Sequence, residues 1–91
     1  MKNEDIDDEM LVEVGYVISS KYRTKVIKSL AENVKIPTQI AKDTDILPNH
    51  MSSTLKQLKE HELVECINPE VRKGRLYRLT DKGEDLVNLI D

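Results

Sequence analysis

Apolar residues recur along most of this chain at steps of three and four, the spacing that lines one face of an α-helix. Ile6, Met10, Leu11, Val14, Val17 and Ile18 keep that step and predict a first helix over residues 5–18. Gly15 weakens it, while the acids of its first turn suit the positive end of a helix. Ser19-Ser20 reads as an N-cap for a second helix running to about residue 32. Tyr22, Val26, Ile27 and Leu30 are its expected buried stripe, and Lys21, Lys25 and Lys28 share another face. Residues 33–36 leave room for a three-residue strand. Pro37 suits the first position of a short third helix to about residue 43, with Ile40 and Ala41 inward. Asp43-Thr44-Asp45 is a tight turn, in which Asp45 tolerates a left-handed backbone better than most non-glycine residues.

The next stretch, residues 46–64, reads ILPNHMSSTLKQLKEHELV. Met51, Leu55 and Leu58 fall at i, i+4 and i+7, so they line one helical face. Asn49, Ser53, Lys56 and Gln57 land near the opposite face, with His50 and Ser52 on its flanks. That outer face is short and hydrogen-bonding at its start and basic one turn later. A helix entering a DNA major groove needs small polar side chains near the bases and a cation where phosphates pass. Residues 63–67 then read as a strand, Asn68-Pro69-Glu70 and Lys73-Gly74 as turn signals, and residues 76–79 as a second strand. Tyr77 and Leu79 point one way, Leu76 and Arg78 the other. The result is a β-hairpin whose tip carries Arg72, Lys73 and Arg75. Thr80 caps a last helix with Leu86, Val87, Leu89 and Ile90 apolar.

Composition narrows this picture. Ninety-one residues hold one modest core, and the three aromatics are all tyrosine, so Leu, Ile, Val and Met must fill it. Cys66 is the one cysteine, which excludes an internal disulfide and a Cys-pair metal site; inside a strand it is expected to be a small buried residue. His50 and His61 lie eleven residues apart, three helical turns, too far to share a metal. No metal and no cofactor is expected. The three glycines, Gly15, Gly74 and Gly83, form no phosphate-cradling loop, and no nucleophile–His–acid arrangement has plausible spacing, so no enzymatic activity is expected. No apolar run approaches membrane-spanning length and the acidic N-terminus lacks a signal peptide's basic start, which points to a soluble cytoplasmic protein.

The net charge of −3 argues against nucleic acid until it is divided along the chain. Residues 1–13 hold six acids and one base, a net of −5, whereas residues 19–80 hold twelve bases and seven acids, a net of +5. A basic binding surface beside an acidic flank has this distribution.

Helix, short strand, helix, tight turn, helix, basic hairpin, helix is the order of a winged helix-turn-helix. Residues 38–64 resemble that motif in the ArsR- and MarR-like regulators: Ile40-Ala41 in its first helix, Ile46 ending the turn, Met51, Leu55 and Leu58 in the recognition helix, and Leu63-Val64 opening the wing. Tyr77-Arg78-Leu79-Thr80-Asp81-Lys82-Gly83 resembles the Tyr-x-Leu-Thr-x-x-Gly signature that closes the wing, and residues 20–30, with Arg23 and Ile27, resemble the preceding helix. The resemblance spans about residues 19–87. Three positions depart from it: Asp45 and Glu62 stand where glycine is usual, and Leu47 where a hydroxyl cap is usual. The missing cap costs on the order of 1 kcal/mol, partly recovered by Pro48. Metal-sensing members use Cys clusters, which one cysteine cannot supply.

The resemblance implies a mainly α fold with a small β-hairpin wing, a three-helix core with added N- and C-terminal helices. Residues 1–18 are expected to form an acidic N-terminal helix and residues 19–91 the DNA-binding domain. It implies a sequence-specific, double-stranded DNA-binding transcription regulator, with a recognition helix of about residues 47–61 in the major groove and a wing of about residues 68–75 on flanking DNA. Asn49, His50, Ser52 and Ser53 are the candidates for base edges, and Lys56, Gln57, Thr38 and Gln39 for phosphates. Arg72, Lys73 and Arg75 are the wing candidates. Arg78 either faces DNA or pairs with Glu65, and Tyr22 and Tyr77 are expected in the core. A domain this small meets few phosphates alone, so a homodimer through the terminal helices is expected. The alternatives are a winged-helix module that binds protein within a larger transcription or processing assembly, and an RNA-binding winged helix.

Overall fold

In the computed structural model, residues 8–90 are described. The order is α1 (Asp8–Ile18), α2 (Lys21–Glu32), α3 (Pro37–Thr44), α4 (Pro48–Glu60), β1 (Val64–Cys66), β2 (Tyr77–Leu79) and α5 (Asp81–Ile90). This is the expected winged helix-turn-helix. The expected start of the first helix at residue 5, with Ile6, lies outside the described residues.

Helix boundaries follow local chemistry. The Ser20 hydroxyl accepts from the Arg23 N–H at 3.2 Å and starts α2. Pro37 and Pro48 open α3 and α4, where a missing N–H loses nothing. Gln39 turns back so that its Oε1 accepts from Ile36 N–H at 3.0 Å, the reciprocal bond of a capping box, while Ile36 itself has no side-chain acceptor. Asp45 takes the left-handed conformation at φ 60 that closes α3, and its N–H donates to the Ala41 carbonyl at 2.7 Å.

The core joins Val26, Ile27 and Leu30 of α2 to Ile40 of α3, Met51, Leu55 and Leu58 of α4, and Leu86 of α5. Thr54, expected at no buried position, is also buried on α4, and its hydroxyl returns to the His50 carbonyl at 2.7 Å. The strands pair antiparallel in the register Val64↔Leu79, Glu65↔Arg78, Cys66↔Tyr77. The segment between α2 and α3 contributes one bridge: Lys35 N–H donates to Tyr77 O at 3.1 Å and Tyr77 N–H to Lys35 O at 2.8 Å. The expected short strand is thus a single bridged residue.

Two expectations need correction. Tyr22 is 40% exposed and not part of the buried stripe, because the first turn of α2 meets the recognition helix there instead of the core. Cys66 is half-buried, with its Sγ 3.6 Å from Asn68 Oδ1. Of the apolar residues of α1, Val17 is fully buried and Met10 and Val14 pack against the core, while Leu11 and Ile18 are 54% and 58% exposed.

The C-terminal end of α4 is held by a Schellman turn. Leu63 N–H reaches Leu58 O at 3.0 Å and Glu62 N–H reaches Lys59 O at 2.9 Å, with Glu62 left-handed at φ 60. Leu58 and Leu63 supply the apolar contact of that turn, both with no exposure. The Tyr-x-Leu-Thr-x-x-Gly stretch seats on it. Thr80 donates its hydroxyl to Glu62 O at 2.7 Å and its N–H to Leu63 O at 3.1 Å, then accepts from Gly83 N–H at 3.0 Å. Gly83 passes so close that a Cβ there would lie 2.2 Å from Leu63 O. The wing and α5 are therefore registered against the end of the recognition helix by backbone contacts.

Candidate nucleic-acid interface

The two faces of α4 separate cleanly. Met51, Thr54, Leu55 and Leu58 are buried, while Asn49, Ser52, Ser53 and Lys56 are exposed. The side chains of those four make no hydrogen bond or ion pair among the described residues, so their donors and acceptors are open to a ligand. Glu60, at the last position, is the one acid in α4. Leu47 precedes the helix with no side-chain cap, which leaves the first N–H groups after Pro48 without a side-chain acceptor.

Thr38 comes close to this face. It lines, with Ser52, Lys56 and Lys59, a groove of about 290 Å³ between α3 and α4, floored by Ala41, Met51, Leu55 and Tyr77. Gln39 is exposed, but its side-chain oxygen is occupied by the Ile36 cap. His50 is half-exposed, its ring 4.9 Å from that of Tyr22 and tilted by 36°. Gln57 is half-buried, and its Oε1 accepts from Arg23 Nη1 at 3.1 Å.

In the wing loop, Arg72 and Lys73 are exposed and unpaired among the described residues. Arg75 instead folds back, its Nε donating to Val71 O at 2.7 Å and its Nη2 to Pro69 O at 3.2 Å. Asn68 organises the loop: its Oδ1 accepts from Leu76 N–H at 2.7 Å and its Nδ2 donates to Gly74 O at 3.2 Å. Gly74 sits at φ 74, where a side chain is strained. Arg78 resolves to the Glu65 pairing, Nε to Oε2 at 2.8 Å across the register pair.

A polar cluster behind α4 had no counterpart in the sequence reading. Glu13 of α1 is 8% exposed and receives Lys82 Nζ of α5 at 2.7 Å, while His61 Nδ1, at the end of α4, lies 2.7 Å away on its other oxygen. Burial pushes the Glu13 pKa up, but hydrogen bonds from Lys82 and His61 outweigh it and hold the carboxyl below its ordinary 4.5. The bond to Glu13 raises the Lys82 pKa above its ordinary 10.5. Lys82 also donates to His61 O at 3.1 Å. The His61 ring stacks on Tyr16 at 3.8 Å and 9°, and Arg23 covers Tyr16 with its guanidinium carbon 3.8 Å from the centroid. Arg23 also donates from Nε to Tyr16 O at 2.9 Å and from Nη2 to Ser19 Oγ at 3.1 Å. These residues tie α1, α2 and α5 to the recognition helix.

An outward polar row on the second helix of a helix-turn-helix, followed by a hairpin, is the arrangement of a known regulator family, and residues 17–91 match it. The chain belongs to the HxlR-like helix-turn-helix family. Membership supports a DNA-binding transcription regulator. Solved structures share the fold of this HxlR-like chain. The transcriptional repressor BigR from Xylella fastidiosa superposes with a TM-score of 0.73 at 23% identity, over 88% of this chain and 78% of that one. NadR, solved in complex with 4-hydroxyphenylacetate, gives 0.70 at 23% identity, over 89% and 62%. The homodimeric winged helix-turn-helix DNA-binding domain Mb0332 from Mycobacterium bovis, a possible ArsR-family regulator, gives 0.69 at 24% identity, over 89% and 74%. No curated protein matches the sequence. Among the described residues no helix is long and apolar enough to cross a membrane, and no group of three or more His, Cys, Asp or Glu side chains is placed to hold a metal.

Proposed function

We propose that this protein is a sequence-specific regulator that binds double-stranded DNA as a homodimer, with α4 in the major groove and the wing loop on flanking DNA. The observation that carries the reading is the outer row of α4, where Asn49, Ser52, Ser53 and Lys56 stand exposed above a buried apolar face. Asn49 matches the bidentate edge of adenine, and the serines can give or accept a hydrogen bond at several bases. Lys56, Thr38 and the wing cations Arg72 and Lys73 meet phosphates and fix the register. His50 stands beside the base-reading row. Gln39, Gln57 and Arg75 hold the scaffold through the bonds described above, so their part in binding is to set the pose of their neighbours. Self-association uses the apolar side chains left uncovered on the terminal helices: Leu11, Val12 and Ile18 of α1, which are 54%, 69% and 58% exposed, and Leu89 of α5 at 42%.

Selection of bound duplexes from a random pool, followed by anisotropy titration of the winner, tests this directly. The expected product is palindromic, with affinity falling steeply as salt rises. Asn49→Ala should relax preference at one base position by about 1–3 kcal/mol. An absence of binding to every duplex at 50 mM salt would sink the reading.

A further inference from the structure

The second helix is built with more positive charge than its packing uses. Its first eight residues carry Lys21, Arg23, Lys25 and Lys28 and no acid; Glu32, at the far end, is bonded to Lys35. Elsewhere three cations are held by acids: Lys35 by Asp43 and Glu32, Lys82 by Glu13 and Arg78 by Glu65. Arg23 is consumed by Tyr16, Ser19 and Gln57. Lys21 and Lys25 are exposed and pair with no acid among the described residues.

Exposed lysines are common, so their place decides what they mean. Tyr22 meets His50, the third residue of α4, and Arg23 meets Gln57 two turns further on. The first turn of α2 therefore lies along the flank of the recognition helix, beside its base-reading start. Tyr22 stands out there among the tyrosines, because Tyr77 is in the core and Tyr16 lies between Arg23 and His61. Tyr22 is 40% exposed, and its hydroxyl has no hydrogen-bond partner among the described residues. Lys25 and Lys28, further along α2, both line a depression with Glu32, Asp43 and Asp45, whose acids end the basic strip.

We infer that Lys21, Tyr22 and Lys25 form a second contact strip for the DNA backbone, alongside the recognition helix and separate from the wing. The inference rests on the DNA-binding reading above. Lys21 and Lys25, four residues apart on a helix, are separated by about 6 Å of rise, which spans roughly two successive phosphates of one strand. Tyr22 donates its hydroxyl to a phosphate oxygen between them, with His50 packed against its ring. The strip adds affinity and fixes the tilt of α4 without reading a base.

The test uses the full chain and its selected duplex, with Kd measured by anisotropy across a salt series. Each lost phosphate contact should flatten the slope of log K against log salt by about 0.9. Lys21→Ala with Lys25→Ala is expected to reduce the slope by nearly 2, and Lys21→Arg with Lys25→Arg to restore it. Tyr22→Phe should weaken binding two- to tenfold while leaving slope and base preference unchanged. Circular dichroism keeps folding separate from binding. If the parent binds with its own salt slope and the alanine pair shares that slope and affinity, this strip is refuted and the DNA reading stands. If the parent binds no duplex, both fall together.

Discussion

Two glycines in helices of this protein should respond to the same substitution with opposite sign. Gly83 is buried in the first turn of α5, and a Cβ added there would lie 2.2 Å from Leu63 O, 3.2 Å from Leu63 C and 3.3 Å from Leu79 Cβ. Ordinary contact begins at 3.4 Å, so the Gly83→Ala variant must part α5 from the end of the recognition helix by about an ångström. The obstacle is backbone, and no rotamer relieves it. Overpacking of this kind costs about 1–3 kcal/mol. The shift also strains the bonds from Thr80 N–H to Leu63 O and from Gly83 N–H to Thr80 Oγ1, worth roughly 1 kcal/mol each. Alanine returns about 1 kcal/mol of helix propensity. The net loss is about 2–4 kcal/mol, a fall in Tm of roughly 10–30 °C for a chain of this size. Gly15 in α1 is the control, since a Cβ there meets nothing within 4 Å. Gly15→Ala should gain about 0.5–1 kcal/mol. Urea denaturation followed by far-ultraviolet circular dichroism measures both. A Gly83→Ala variant within 0.5 kcal/mol of the parent would refute the close-approach argument.

Other perturbations have definite signs. The Glu13–Lys82 pair has a lowered carboxylate pKa and a raised amine pKa, so its contribution is complete between about pH 4.5 and 10.5. It is lost as acid carries the pH down through the Glu13 value, or alkali up through that of Lys82. Glu13→Gln should flatten the acid limb of stability against pH and cost about 1–2 kcal/mol at neutrality, a modest figure because the Lys82 side chain is 29% exposed; an unchanged acid limb would remove Glu13 as the titrating group. Glu62→Gly relieves a left-handed side chain at φ 60 and should raise the urea midpoint, by about 0.5–1 kcal/mol in stability. Arg78→Ala breaks a pair whose side chains are both about half exposed, and thermal melts should place it within 0.5 kcal/mol of the parent.

How much of this was legible beforehand depended on the range of the interaction. Ser20, Pro37, Asp45 and Pro48 act within four residues of themselves, as does Thr80 in accepting from Gly83 N–H, and each marks the boundary expected of it. The apolar steps of α2 and α4 identified Val26, Ile27, Leu30, Met51, Leu55 and Leu58 as core because period and burial share one cause. Tyr22 broke that rule where the neighbour changed from core to His50. Glu13, His61 and Lys82 escaped entirely: Glu13 is 48 residues from His61 and 69 from Lys82, and no local pattern reports a pairing at that distance. On α4, the exposure of Asn49, Ser52, Ser53 and Lys56 followed from angular position alone. Gln39, Gln57 and Arg75 occupy equally suitable positions, but their hydrogen bonds are spent inside the protein, and sequence spacing does not count partners.

The stack of Arg23, Tyr16 and His61 has a consequence for any dimer built on α1. Tyr16 belongs to α1 and His61 ends α4, and with rings 3.8 Å apart and nearly parallel, a roll of either helix alone would break this contact. In such a dimer the distance and angle between the two recognition helices are inherited from this aromatic contact. Operator spacing would then be written in three side chains outside the base-reading row, and a change at Tyr16 would alter which spacing is accepted while leaving the preferred bases as they were.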